Sequence, residues 1–145
     1  MNIRPMTPAD RQTVLPMAQA LYNSPAAEAP LSPATLSRVF EDAVGPNPLV
    51  QGFLLEQAGT AAGYAYLTFT YSCEAAGTAV EIEELYLRDE ARGLGLGQQF
   101  FDWLYAAYPQ AARFRLDVTF GNRAAHLYQR NGFRCPEYGS MIFDR

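Results

Sequence analysis

The chain has 145 residues, is 49% hydrophobic and 13% aromatic, and carries a net charge of −4. A chain of this length usually forms one domain and buries a core without metals or disulfides, so residues 1–145 are predicted to form a single domain with no metal site. The negative charge disfavours nucleic acid and anionic membranes as partners. No apolar run approaches the roughly 18 residues of a membrane span. Cys73 and Cys135 lack disulfide or zinc spacing, so a cytoplasmic location is expected.

The first third of the chain predicts one strand and two helices. The opening segment NIRPM is typical of a short strand. Thr7 is then a candidate N-cap with Pro8 at the first helical position, and Ser32 with Pro33 repeats that signal. Apolar residues at helical spacing follow both caps, at Val14, Met17, Ala18 and Leu21 and at Leu36, Val39, Phe40 and Ala43. Pro16 is expected to kink or delay the first helix.

The rest of the chain alternates between strand and helix patterns. VQGFLLE, AGYAYLTFTY and AVEIEELYL predict three strands, and the apolar stripe after the glycine-rich segment predicts a third helix ending near Pro109. RFRLDV predicts a further strand, NRAAHLYQRNG a fourth helix closed by Gly132, and FRCPEY and SMIFD two last short strands. The predicted fold class is α/β, with a mixed, mostly antiparallel sheet of six to seven strands and four flanking helices.

The segment ARGLGLG lies between a predicted strand and a predicted helix. Glycines let a ligand approach the backbone closely, and the free N–H groups at a helix start attract anions. Arg88 and Arg92 add positive charge nearby. The segment is therefore predicted to bind a phosphate group, although a strand–helix connection without a ligand fits the GxG pattern alone as well. Gln98 follows Gly97, so the dinucleotide and P-loop motifs both fail.

The spacing Arg92-x-x-Gly95-x-Gly97 resembles the pyrophosphate-binding loop of the GNAT family of acetyl-CoA-dependent N-acetyltransferases. IEELYL is similar to the family's fourth strand, NRAAHLYQRNGF to its N-x-x-A-x-x-Y-x-x-x-G-F segment, and IRPMTPAD to its usual opening. FTYSCEAAGTAVEIEELYL resembles the diamine (spermidine-type) branch and, equally, a set of uncharacterised bacterial relatives. The resemblance spans nearly the whole chain, with three motifs in the family's order.

This resemblance implies a GNAT fold whose fourth and fifth strands splay apart around acetyl-CoA as the co-substrate. The main chain of Leu85 and Leu87 is expected to pair with the pantetheine arm, in the manner of an added strand, and Asn122 to lie beside that arm. The pyrophosphate is expected to bind the backbone amides of Arg92, Gly93, Leu94, Gly95, Leu96 and Gly97. Dimers are frequent in such folds, so a homodimer is compatible with the resemblance.

Three residues are candidates for the chemistry. Tyr128 matches the family tyrosine near the sulfur, and a phenol with a pKa of about 10 can protonate a thiolate whose own pKa is about 8.5. Its alternative role is a core aromatic. Glu83 and Glu84 are candidates for accepting the amine proton, and strand alternation places them on opposite faces. The pair resembles the Glu-Asp pair of the diamine branch, and this resemblance implies that Glu83, the first acid, acts through water. The alternative for these acids is a solvated or salt-bridged pair.

The sequence thus predicts an N-acetyltransferase that moves acetyl from acetyl-CoA to a primary amine by direct attack in a ternary complex. A small cationic acceptor is expected because several acids could surround it, namely Glu28, Glu74, Glu81, Glu83 and Glu84. Two alternatives stay open. One is acetylation of a protein N-terminus or lysine, which needs a groove wide enough for a peptide. The other is a non-catalytic acyl-CoA-binding sensor on the same fold.

Overall fold

The computed structural model describes residues 1–119 and 121–144, and within them five strands form one sheet in the order β1-β2-β3-β4-β5. The strands are β1 (Asn2–Pro5), β2 (Val50–Gln57), β3 (Thr60–Ser72), β4 (Gly77–Leu87) and β5 (Arg113–Leu116). The three pairings from β1 to β4 are antiparallel, whereas β4 and β5 run parallel. The mixed, mostly antiparallel sheet predicted from the sequence is therefore confirmed, but the predicted count of six to seven strands is wrong, because the described residues form five.

Four helices flank this sheet, as predicted: α1 (Arg11–Tyr22), α2 (Pro33–Val44), α3 (Leu96–Ala107) and α4 (Ala125–Arg130). Helices α1 and α2 pack on the face that carries Tyr64 and Tyr66, and α3 packs on the face that carries Ala65 and Leu67, because side chains alternate along β3. Ser32 caps α2 by accepting the Thr35 N–H at 3.1 Å. No helix in the described residues is long and apolar enough to cross a bilayer.

The two short strands predicted at the C-terminus are wrong: β5 is the last strand in the described residues. Pro136 interrupts the first of these segments and has no N–H to donate to a neighbouring strand. The second segment has no paired neighbour, and Met141, Ile142 and Phe143 are 101%, 79% and 88% exposed. Phe133 is the last hydrophobic residue that packs against the core in this part of the chain. The apolar composition of SMIFD favours a strand locally. Without a partner strand, however, the segment cannot form the hydrogen bonds of a sheet.

Asp10 closes the turn between β1 and α1. The turn is a 3-10 helix over Pro8–Asp10 that follows Thr7, the predicted cap, and α1 then continues past Pro16 to Tyr22. The Asp10 carboxylate accepts the Thr7 N–H at 2.7 Å and two N–H groups of Arg4 at 2.8 and 2.9 Å. The Arg4 guanidinium, together with the Thr7 donors, holds the pKa of Asp10 well below its usual value.

We expect Asp10→Asn to lower the free energy of unfolding at pH 7 by about 2–3 kcal/mol, because it removes the charge that pairs with Arg4. The folded-state pKa of Asp10 lies below its unfolded value. Its contribution is therefore full above about pH 4 and is lost as the pH falls further, so the difference between the two proteins should shrink at pH 3. Urea unfolding at pH 7 and pH 3 measures this. Asp42→Asn, which breaks an exposed pair with Arg38, is the control and should cost under about 1 kcal/mol.

Candidate active site

An opening lies between the second half of β4 and the end of β5. The two strands pair only from Ala79 with Arg113 to Ile82 with Leu116. Strand β4 then continues through residues 83–87, while β5 has already ended. The strands therefore splay at this point, and one edge of residues 83–87 has no neighbouring strand among residues 1–119 and 121–144.

The backbone of Leu85 and Leu87 points into this opening. The Arg88 N–H donates to Ala62 on the β3 side at 2.9 Å, and the Tyr86 carbonyl is so close to Gly63 that a Cβ there would overlap it. Hydrogen-bonding direction alternates along a strand. The backbone N–H and C=O groups of Leu85 and Leu87 therefore face away from β3. An extended ligand that carries amide groups can pair with such an edge as an added strand would.

The loop that follows β4 has the backbone conformation of an anion site. After a 3-10 turn over Asp89–Ala91, Gly93 and Gly95 adopt φ of +74° and +75°, a left-handed region in which glycine is favoured. No described atom lies within 4 Å of a Cβ built on either glycine, so the loop faces open space. The first intrahelical bond of α3 is donated by Gln99 to Gly95 at 3.2 Å. The preceding amides of α3 are therefore free to bind an anion at the positive end of the helix.

Not every loop residue predicted to offer an amide has one free. The Arg92 N–H donates to the Asp89 carbonyl at 3.2 Å. Its side chain donates to the Leu87 carbonyl at 3.0 Å and pairs with Asp89 at 2.6 Å. Packing also favours glycine at position 97, because a Cβ there would lie 2.6 Å from the side chain of Leu127 of α4. Of the remaining residues in the loop, Leu94 is exposed and the side chain of Leu96 is in the core.

Tyr128 lies on α4, on the same side of the sheet as α3. Its ring packs edge-on against Phe101 and Phe133, with centroids 6.0 and 6.3 Å apart. The carboxamides of Gln98 and Asn131 exchange hydrogen bonds of 2.9 and 3.0 Å, which tie the end of α4 to the start of α3 and so position this tyrosine. Burial raises the pKa of Tyr128. Its hydroxyl makes no hydrogen bond with the protein in the described part of the chain, which leaves it available to a ligand.

Asn122 lies in the turn that leads into α4. Its N–H donates to the Thr119 carbonyl at 3.1 Å, and its side-chain oxygen accepts the Ala124 N–H at 2.8 Å. These two bonds fix the turn before α4. The side-chain oxygen of Asn122 therefore has a structural partner in addition to any contact with the pantetheine arm.

A β-bulge in β4 changes the expected orientation of the two glutamates. Tyr66 pairs with Glu84 and Leu67 pairs with Ile82, so Glu83 is the extra residue that faces no partner on β3. A bulge of this kind interrupts the alternation of side chains along a strand. The prediction that Glu83 and Glu84 point to opposite faces rests on that alternation.

Both glutamates lie on the α1 side of the sheet. Glu84 accepts hydrogen bonds from Tyr22 of α1 and from Tyr64. Glu83 accepts one at 3.1 Å from Thr68, which shares a face with Tyr64 because the two are four residues apart on β3. The opposite-face prediction is therefore wrong.

Glu84 and Glu83 nevertheless differ in access to solvent. Glu84 is 7% exposed, and its two oxygens accept from Tyr22 at 2.8 Å and from Tyr64 at 2.5 Å. Burial raises the pKa of Glu84, against the opposing effect of these two hydrogen bonds. Glu83 is exposed. Of the two, only Glu83 has a carboxylate that a ligand reaches without displacing protein.

Other acids surround the opening on this side. Burial raises the pKa of Glu81 of β4, the positive charge of Arg115, its partner on β5, acts against that rise, and the charges of Glu83 and Asp117 add to it. Glu28 is exposed in the segment between α1 and α2. Glu74, by contrast, binds Arg113 at 2.6 Å near the start of β4, at the end away from the opening. The acidic set is therefore centred on Glu81, Glu83 and Asp117, and the expected contribution of Glu74 is not supported.

Sequence reasoning missed the tyrosines that surround Glu84. Tyr64 and Tyr66 are two residues apart in a predicted strand, and this spacing places both on one face. Their clustering could therefore have been predicted from the sequence. Their position beside Glu84 could not be predicted from the sequence, because it depends on the β3–β4 register. Tyr22 is 62 residues from Glu84 in sequence, and no local pattern connects them.

Residues 17–133 match the Acetyltransferase (GNAT) family. A possible acetyltransferase from Clostridium difficile has a TM-score of 0.85 at 16% identity, with 99% of this chain and 97% of that chain covered. An aminoglycoside antibiotic 6′-N-acetyltransferase from Acinetobacter haemolyticus has a TM-score of 0.75 at 15% identity, with 100% and 99% covered. A ribosomal-protein-alanine N-acetyltransferase from Brucella melitensis has a TM-score of 0.77 at 12% identity, with 99% and 98% covered. At such identities these structures share the fold alone, and no curated protein matches the sequence.

Proposed function

Because the chain belongs to the GNAT family of acetyltransferases, we propose that it transfers acetyl from acetyl-CoA to the primary amine of a small cationic acceptor, by direct attack in a ternary complex. GNAT enzymes generally use acetyl-CoA as the co-substrate. One observation carries the proposal: the opening beside residues 83–87 has a glycine loop with free backbone amides at one end and exposed acids on one face. The first suits a pyrophosphate and the second suits a cation.

The co-substrate is proposed to lie in the opening between β4 and β5. Its pantetheine amides would pair with Leu85 and Leu87, and its pyrophosphate would bind the free amides from Gly93 to the start of α3. For the arm to reach the Leu87 carbonyl, Arg92 must release its 3.0 Å hydrogen bond to that oxygen. The guanidinium would keep its pair with Asp89 at 2.6 Å, and its remaining N–H groups could then contact the phosphates.

The proposed chemistry uses both faces of the sheet. The neutral amine attacks the thioester carbonyl, a C–N bond forms, and the C–S bond breaks. An amide of β4 that faces the opening would stabilise the developing oxyanion. Glu83, on the α1 side, would take the amine proton through water. Tyr128, on the α3 side, would give its proton to the leaving thiolate and regain one from solvent. A phenol is protonated at neutral pH, and burial raises the pKa of Tyr128 further.

A small acceptor fits the acidic side of the opening better than a peptide does. Thr119, just after β5, lies 3.5 Å from the carbonyl of Pro25 in the segment between α1 and α2. The two segments therefore contact each other just beyond the end of β5, which supports a site that is bounded on that side over a groove that is open along its length. An acceptor of the diamine class is supported by the acids Glu81, Glu83 and Asp117, which outnumber the neighbouring Arg115 and could bind a second ammonium group.

The test is an amine panel with release of free thiol as the readout. The panel includes diamines, an aminoglycoside, neutral amines and a peptide with a free N-terminus, and a reaction without acceptor measures hydrolysis of acetyl-CoA. Thiol release that requires a small cationic amine supports the proposal. Preference for the peptide indicates the protein-acetylating alternative. Tight binding of acetyl-CoA without thiol release for any amine indicates the sensor.

We expect added salt to raise the KM for a cationic amine by about three- to tenfold between low and 0.5 M ionic strength, because ions screen its attraction to Glu81 and Glu83. A neutral analogue of the same shape is the control, and its KM should change less than twofold. Glu83→Gln should reduce the salt dependence for the cation. A KM insensitive to salt, or an anionic preferred acceptor, would contradict the cationic assignment.

A further inference from the structure

Tyr22 connects the end of α1 to the strand that borders the opening. It is the last residue of α1, and its hydroxyl donates to Glu84 at 2.8 Å. Glu84 follows directly after Glu83, the extra residue of the β4 bulge. Residues 23–32, which lead to α2, begin at this contact. The position of that segment relative to Glu83 therefore depends on the Tyr22–Glu84 bond.

The hydrogen bond from Tyr22 stabilises the buried carboxylate of Glu84. A carboxylate that is 7% exposed requires hydrogen-bond donors, and here Tyr22 and Tyr64 supply one to each oxygen. Tyr64 is fully buried within the sheet, so its bond cannot open without disrupting β3. Tyr22 is only partly buried and lies at a helix end, where helices fray most readily. Of the two bonds, the one from Tyr22 is free to open and close.

The segment that begins at Tyr22 is held at its other side as well. Ser24 donates to the Leu21 carbonyl at 2.6 Å and accepts the Ala26 N–H at 3.2 Å, which forms a compact turn directly after α1. The next residue of that turn, Pro25, lies 3.5 Å from Thr119 beyond β5. The turn thus runs from the β4 side of the opening to the β5 side.

We propose that Tyr22 is a positioning residue for the acceptor amine: through Glu84 it holds residues 23–32 across the acidic side of the opening, next to Glu83. The consequence for the acceptor rests on the proposed function, whereas the holding of the segment does not. Acceptor binding should depend on this hydroxyl. Binding of acetyl-CoA should not, because the loop at residues 92–97 makes no hydrogen bond with Tyr22 among the described residues.

A third tyrosine in the same cluster provides a matched control. Tyr66 is 2% exposed, and its hydroxyl is buried without a hydrogen-bond partner in the described residues. Its ring lies 5.2 Å from that of Tyr64. Tyr66→Phe therefore removes a hydroxyl from the same environment but breaks no bond to Glu84. Tyr64→Phe removes the other donor to Glu84 and keeps the ring that packs against α1.

The first measurement is amide hydrogen exchange on wild type, Tyr22→Phe, Tyr64→Phe and Tyr66→Phe, each checked for folding by its melting temperature. In Tyr22→Phe, residues 23–31 should exchange about tenfold faster, because a charge-assisted bond that restrains them is gone. The same residues should exchange at the wild-type rate in the two controls, and α3 should be unchanged in all four proteins. Wild-type exchange of residues 23–31 in a folded Tyr22→Phe overturns the proposal whether or not the protein has activity.

The second measurement separates this proposal from the proposed function. With the best amine of the panel, Tyr22→Phe should raise the amine KM about tenfold and leave the Kd of acetyl-CoA within twofold of wild type. A purely structural role would weaken both or neither. If wild type acetylates no amine, the proposed function fails and hydrogen exchange alone decides about Tyr22. If wild type is active and Tyr22→Phe keeps its amine KM, the positioning role fails and the proposed function stands.

Discussion

Gly95→Val is expected to lower the affinity for acetyl-CoA by about 100-fold or more while the chain stays folded. Gly95 has φ of +75°, and a β-branched residue adopts that conformation only with strain. Relief of the strain would turn the loop and redirect the first amides of α3 away from the pyrophosphate. Loss of two hydrogen bonds to a charged group, each contributing about 1.5 kcal/mol or more, accounts for a factor of this size.

A second glycine with the same geometry is the control for backbone strain. Gly59 has φ of +77° in the turn between β2 and β3, and like Gly95 it has no described atom within 4 Å of a built Cβ. Gly59→Val should therefore lower the melting temperature about as much as Gly95→Val. Calorimetric titration should find lost affinity in the Gly95 variant alone. Unchanged affinity in a folded Gly95→Val would contradict the pyrophosphate assignment.

The elements that the sequence predicts well are those with strong local signals. Ser32 followed by Pro33 marks the start of α2, and the stripe at Leu36, Phe40 and Ala43 marks its buried face, which the structure confirms. The glycine loop is similar: its place between a strand and a helix was evident from the sequence, although only Gly93 and Gly95 adopt positive φ, whereas Gly97 lies within α3 and packs against Leu127. Such signals are readable because each depends on residues fewer than eight positions apart.

The features that the sequence did not predict depend on distant partners. The β4 bulge at Glu83 arises from the register with β3, and two successive glutamates carry no sign of it. The Tyr22–Glu84 bond joins residues 62 positions apart. SMIFD was predicted as a strand from composition, although a strand also needs a neighbour with which to pair. In each case the sequence gives the residue types, whereas the neighbours in the fold that decide their role could not be predicted from it.

Tyr128→Phe is expected to slow the chemical step by about 10²–10³-fold, which is within the range of general acid catalysis. The substitution removes the hydroxyl and keeps the ring, so the packing against Phe101 and Phe133 should survive. The Kd of acetyl-CoA should change less than twofold for the same reason. Single-turnover kinetics at saturating amine measures the step directly, without a contribution from product release.

The pH profile gives an independent reading of the same role. A general acid acts in its protonated form, so kcat should fall as Tyr128 loses its proton. Burial raises the pKa of Tyr128 above its ordinary value, which places this fall above about pH 10. In Tyr128→Phe the high-pH fall should disappear, since the titrating group is gone. A fall that persists at the same pH would belong to another group.

Tyr105→Phe is the matched control for the loss of a phenol beside Phe101. Tyr105 lies on α3, packs against Phe101 with ring centroids 6.1 Å apart, and donates to the Asn131 carbonyl at 3.0 Å. Its removal should lower the melting temperature and leave kcat near wild type, because that hydroxyl already has a structural partner. Tyr128→Phe should show the reverse, a nearly unchanged melting temperature with a large loss of kcat. If the two variants behave alike, Tyr128 is a packing residue, and the thiolate must take its proton from water or another donor.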